Sequence, residues 1–201
     1  MVASVAINSL FLHNFWSFTY HARQSLSLTR GTGCPRKKSL IKFFLDDFPT
    51  DVDYGPTANF VAEELVVCQR SSCYLFVGMT SWSKLVDTRN PRMLHSSAES
   101  EDRILLIGGS ASNSTEWIPV DGSPSQPGPF EVRHGHAHCT VQVSSDLIVV
   151  IGGVDTWDLV TEYQLTGDAT ETVMTSLING RRDHACGVYR EAGGPQVRIS
   201  W

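Results

Sequence analysis

The sequence predicts an all-β protein built from repeated four-stranded antiparallel sheets, and three observations carry that prediction. Two diglycines, Gly108-Gly109 and Gly152-Gly153, stand 44 positions apart. Each closes a short apolar run, RILLIGG in one case and LIVVIGG in the other. The flanking residues repeat too: Arg92…His95 and Arg133…His138 lie upstream, Arg182…His184 follows near the C-terminus, and downstream Thr115-Glu116-Trp117 and Thr161-Glu162-Tyr163 recur at a spacing of 46. Self-similarity at this period is the mark of a repeat architecture.

Within the first clear unit, residues 93–98 read as a strand and the acidic stretch 99–102 as a turn. Residues 103–107 form an apolar run of the kind buried on both faces. Gly108-Gly109 ends it, because glycine reaches positive φ and lets backbone approach closely. A third strand covers 114–120, and the turn-forming loop 121–129 leads to a fourth near 130–133. The second unit repeats the plan with strands at 137–143, 147–151, 159–165 and 171–177. A third begins at Arg181, continues through residues 184–189 and reaches 196–199. Four short strands in about 44 residues is the pattern of a β-propeller blade.

The series R-x-x-H, apolar strand, Gly-Gly, then T-E-[WY] resembles the kelch repeat. The matching residues are Arg92, His95, Gly108, Gly109 and Trp117 in one unit. In the next they are His138, Gly152, Gly153 and Tyr163, and in the last Arg182 and His184. Trp82 resembles the aromatic that kelch blades carry in their last strand. A degenerate unit precedes these: residues 48–51 resemble an inter-blade stretch, and 65–68, 73–77 and 81–85 supply strands. Cys68-Gln69-Arg70 stands where its diglycine belongs. The expected organisation is an irregular basic leader over 1–47 and a kelch-repeat segment over 48–201. That segment divides into a degenerate repeat (48–91), two full repeats (92–132 and 133–180) and a truncated one (181–201). Kelch propellers close with six or seven blades, so the expectation is an incomplete propeller, a fragment.

With 41% hydrophobic and 18% charged residues in 201, the composition is that of an ordinary globular chain. The net charge of −5 gives no reason to expect nucleic acid as a partner. Residues 1–45 hold six basic side chains and no acid, so the rest of the chain carries the negative charge. No apolar run is long enough for a membrane span. The leader lacks a clean signal-peptide pattern, and a signal, a transit peptide and an irregular extension all stay open. Cytoplasmic and secreted locations both stay open with them.

Five cysteines are too few for a disulfide scaffold. Cys139 and Cys186 follow the repeat histidines and are expected as small buried hydrophobes. Cys68 and Cys73 could close a small loop in an oxidising compartment.

The sharpest local cluster is His134, His136 and His138, whose alternation on a strand would place three imidazoles together as a metal site needs. Against this, His138 is already the repeat histidine and no carboxylate lies within the cluster, so neither metal nor cofactor is expected. The kelch architecture also occurs in galactose oxidase, a copper radical enzyme. The set of tyrosines, histidines and cysteine that its chemistry requires cannot be placed here, and no G-x-S-x-G is present. A copper-enzyme fragment and a truncated, non-functional product remain the alternatives to the main reading.

That reading is a protein-interaction module without catalysis, binding an unidentified protein partner through its loops. The candidate loops are 110–113, 121–129, 154–158 and 166–170. Within 154–158, Asp155, Trp157 and Asp158 combine an aromatic side chain with flanking acids, a composition enriched at interaction sites. The acid excess favours a basic or polar partner. Trp117, Tyr163 and Tyr189 are expected to pack between blades. Asn113-Ser114-Thr115 is an N-glycosylation sequon.

Overall fold

A computed structural model describes residues 56–62, 64–77, 81–100, 102–166, 169–191 and 194–200. The basic leader, the 48–51 stretch and Cys34 lie outside these residues, as does the side chain of Tyr189. Every described element is a β-strand, and every pairing is antiparallel.

The first sheet joins β1 (Thr57–Val61), β2 (Glu64–Val77) and β3 (Ser81–Arg92) in that order. The second is a meander of β4 (Ser96–Glu99), β5 (Arg103–Ile107), β6 (Ser114–Pro119) and β7 (Gln126–Glu131). The third repeats it with β8 (Cys139–Ser144), β9 (Leu147–Ile151), β10 (Val160–Gln164) and β11 (Thr170–Val173). A hairpin of β12 (Ala185–Glu191) and β13 (Gly194–Ser200) follows.

Although continuous, β2 is not one straight strand. Its Cys68 and Cys73 are disulfide-bonded with Cα atoms 4.0 Å apart. Five residues of extended chain would span roughly 16 Å. The chain therefore doubles back around Arg70, whose φ of 44° is left-handed. Residues 64–68 pair with β1, and the part beyond Arg70 pairs with β3. The first sheet thus contains four extended segments, as the second and third do.

The sheets pack face to face, and the apolar strands show why. Along β5, Ile104 and Leu106 pack with Val61, Val66, Cys68 and Cys73 of the first sheet. The alternate residues Leu105 and Ile107 pack with Ile148, Val150 and Tyr163 of the third. In the same way β9 sends Val149 and Ile151 toward Val188 of β12. A period of two makes one strand serve two cores, and each fully buried Leu or Ile contributes about 1.5–3 kcal/mol. The first strands of successive sheets are neighbours, β1 beside β4, β4 beside β8 and β8 beside β12. This is a propeller-like arrangement of blades.

Several strand boundaries differ from expectation for local reasons. Strands β4 and β8 begin at Ser96 and Cys139, two to three residues late, because Leu94 and Ala137 take left-handed backbone at φ 54° and 58°. The stretch expected to be loop through 129 is already β7 from Gln126. Its Pro127 and Pro129 are tolerated because, among the described residues, β7 is an edge strand with no outer partner for their missing N–H groups. On the other side, β11 ends at Val173, and the chain beyond it is irregular.

Cys139 and Cys186 are not free buried thiols. They form a disulfide between β8 and β12, tying the third sheet to the last hairpin across 47 positions. At the preceding interface the same place is held by a hydrogen bond between Ser96 and Thr140. In both cases the residue one past a repeat histidine meets the residue two past the next. Closing a loop of this length stabilises by about 4 kcal/mol in the chain-entropy picture. Replacing Cys139 and Cys186 together by alanine is expected to lower unfolding free energy by about 2–4 kcal/mol, read from urea midpoints. Reductant should then have a smaller effect on the variant than on the wild type.

Candidate functional site

The left-handed turn before each repeat histidine organises one end of the sheets. Leu94, Ala137 and Asp183 occupy it, each directly before His95, His138 or His184. The turns bond to one another: the Ala137 amide donates to the Leu94 carbonyl at 2.9 Å, and the Asp183 amide to the Ala137 carbonyl at 3.0 Å. Behind them the histidines are buried. A Cβ added to Gly108 would come within 2.8 Å of His138 Cε1 and of the Gly135 carbonyl, and one added to Gly152 would collide with His184 and the Arg181 carbonyl. The second glycines abut their own repeat's histidine, Gly109 against His95 and Gly153 against His138. All four glycines have positive φ. Each diglycine is therefore a seat shared by its own histidine and the next.

Burial pulls His95 and His138 down to about 3, with Arg92 adding to it at His95, and with His134 and His95 adding to it at His138. It lowers His134 and His184 as well. All four are neutral at physiological pH. His95 Nε2 meets Thr57 Oγ1 at 3.1 Å.

Arg92 is fully buried and makes a 2.9 Å ion pair with buried Glu116. Its Nη1 also donates to the carbonyls of Gly108 at 3.0 Å and Ser114 at 2.8 Å. Glu116 accepts in addition from the Arg89 amide. In the next repeat this place is taken by His134, not Arg133. His134 Nδ1 donates to the Gly152 carbonyl at 2.8 Å, and its Nε2 accepts from Thr161 Oγ1 at 2.8 Å. Arg133 is exposed and pairs with Glu171 at 3.0 Å. Arg182 is exposed as well, with its guanidinium 4.9 Å from the Trp157 ring centroid.

These contacts bear on the histidine trio. His134 uses both nitrogens structurally, and His138 is sealed beneath Gly108. The two rings are 6.1 Å apart, and His136 is half-buried. Among the described residues, no group of three or more His, Cys, Asp and Glu side chains is placed to hold a metal. Trp117 lies in the core between the second and third sheets, capped by Arg103 at 4.1 Å. Tyr163 lies there too, stacked on Phe130 at 4.3 Å, and burial raises its hydroxyl to about 12.

The candidate loops divide between two ends of the molecule. In a meander, alternate connections emerge at opposite ends, so 110–113 and 154–158 lie at the histidine end. The 120–125 and 165–169 connections lie at the other; Gly167 and Asp168 are outside the described residues. At the histidine end, Trp157 is 48% exposed. Asp155 and Asp158 are exposed beside it, and Asp155 takes φ 75°. Backbone bonds fix the loop on both sides: the Val154 amide donates to the His136 carbonyl, the Leu159 amide to Thr156, and the Arg181 amide to Trp157. Gly180 packs on the Trp157 backbone and Cβ. No sequence signal marked the Arg182 contact, since the repeat register assigned that residue to the motif.

No family model matches the chain. No curated protein matches it either. Among solved structures, that of YjhT is similar, with a TM-score of 0.61 at 14% identity, over 70% of this chain and 57% of YjhT. The chain thus spans little more than half the length of that protein. This likeness shows a fold, and 103 solved chains match, so no single activity follows from it. Among the described residues, no helix is long and apolar enough to cross a membrane.

Two outcomes follow from the buried polar groups. Substituting Arg92 by Met leaves Glu116 buried without its partner, which is expected to cost about 3–5 kcal/mol in denaturant-measured stability. The histidines make the fold acid-sensitive. Their unfolded value is near 6.5 and their folded values are lower, so the unfolded chain binds more protons as pH falls. Stability is complete above about pH 6.5 and declines below it, for His95 and His138 down to about pH 3 and by up to about 1.4 kcal/mol per unit each, with His134 and His184 acting in the same direction. Urea midpoints from pH 7.5 to 4.5 check this.

Proposed function

We propose that the chain contributes kelch-type β-propeller blades and acts as a protein-interaction module, binding its partner through the loops at the histidine end. The observation that carries this reading is Trp157, a large aromatic half exposed on a loop that backbone bonds hold on both sides. Tryptophan and arginine are the residues most often found at binding hot spots, and here Arg182 lies over the ring. A loop already fixed in place loses little entropy on binding. The left-handed Asp155 fits the same reading, because such backbone is retained where the surroundings impose it and clusters at binding loops.

The kelch reading is supported by the shared glycine seats, which explain why histidine and diglycine recur together at this spacing. A role without catalysis is supported by the way buried polar groups are used. Arg92, Glu116 and His134 are engaged in contacts that close the blades. Asp155 and Asp158 beside the tryptophan favour a partner segment with basic or polar side chains.

Affinity capture with the wild type, Trp157→Ala, and Ser145→Ala at the opposite end tests the proposal. The expected result is a partner retained by the wild type and Ser145→Ala, with at least a thirtyfold loss in affinity, about 2 kcal/mol, for Trp157→Ala. Alanine keeps the Cβ that packs on Gly180, so the urea midpoint should barely change. Equal capture by all three proteins would contradict the assignment of this loop.

A further inference from the structure

We propose that Asn113 is an acceptor for an N-linked glycan, on a chain that matures in an oxidising, lumenal compartment. Asn113-Ser114-Thr115 is the sole N-x-[ST] triplet in the sequence. Asn113 is exposed in the turn that enters β6, and its carbonyl accepts from the Val132 amide at 2.8 Å. The two other sequon residues face inward: Ser114 is half-buried, and Thr115 is buried with its hydroxyl on the Phe130 carbonyl at 2.6 Å.

That burial orders the events. The sequon hydroxyl takes part in recognition of the acceptor, and in the folded chain it is held by the Phe130 carbonyl. Transfer therefore precedes closure of β6 onto β7. The donor class is an oligosaccharide linked to a lipid diphosphate. A bond forms from Asn113 Nδ2 to the anomeric carbon while the bond from that carbon to the phosphate oxygen breaks; the amide proton passes to solvent, and the lipid diphosphate leaves with the bonding electron pair.

The disulfides supply the independent observation. The four cysteines among the described residues are paired, Cys68 with Cys73 and Cys139 with Cys186. Structural disulfides form and persist in the compartments where N-glycans are attached, and are rare where thiols are kept reduced. Sequon and disulfides thus point to one environment.

The test is expression of the full chain in cultured animal cells behind an added secretion signal, with intact mass measured before and after peptide-N-glycosidase. Alkylation before reduction counts free thiols. The expected product has four protected cysteines and one glycosidase-sensitive glycan, which Asn113→Gln removes while leaving the cysteines protected. A lumenal chain with four protected cysteines and no glycan overturns the acceptor assignment, as does a glycan retained by Asn113→Gln. A glycosylated chain with five free thiols overturns the oxidising maturation. None of these readouts depends on partner binding.

Discussion

The contact on which the rest of the structure depends is the seating of the repeat histidines against the diglycines, each diglycine serving two successive histidines. His138 is held between Gly108 of the preceding repeat and Gly153 of its own. Any side chain at Gly108 would displace the imidazole or the Gly135 carbonyl, and the positive φ there disfavours any residue but glycine. A single blade cannot bury both faces of its apolar strand, so its stability comes from the neighbour. The glycine seats set the distance at which that neighbour stands. Once it is set, Leu105 and Ile107 meet Ile148 and Val150, and the turn-to-turn backbone bonds fall into register.

The three interfaces use this frame with different chemistry. Between the first and second sheets, Thr57 bonds His95 and Ser97 donates to Asn59 at 2.9 Å. Between the second and third, Gln142 accepts from the Glu99 amide at 2.9 Å and donates to its carbonyl at 2.6 Å. Between the third sheet and the last hairpin the link is covalent. Hydrogen bonds of this kind contribute about 1 kcal/mol each and mainly fix register. The disulfide instead restricts the unfolded chain. At the last described interface this covalent link stands where the preceding one has the Ser96–Thr140 hydrogen bond.

Much of the architecture was legible because it rests on period and composition. The runs at 103–107 and 147–151 became β5 and β9 with those bounds, since continuous apolar residues ended by diglycine leave little choice. The left-handed turns were not legible, because Leu94, Ala137 and Asp183 share no residue type and are imposed by the bonds between turns. The exchange of Arg92 for His134 was hidden for a related reason. Two different side chains reach the equivalent carbonyls of Gly108 and Gly152, and register alone selected Arg133. The Cys139–Cys186 bond had a readable trace, their places one and two residues past successive repeat histidines, but its meaning required knowing that β8 and β12 are neighbours. At the candidate site, Trp157 was legible from composition, whereas Arg182 over its ring and the division of the loops between two ends were products of topology.

The shared seat is tested most directly by a double-mutant cycle on Gly108→Ala and His138→Ala, with unfolding free energies from urea titration. If the histidine of one repeat rests on the glycine of the previous one, removing the imidazole relieves part of the clash. The two changes should then be non-additive by more than about 1 kcal/mol. Additivity within about 0.5 kcal/mol would contradict the account, since residues that do not share a contact behave that way.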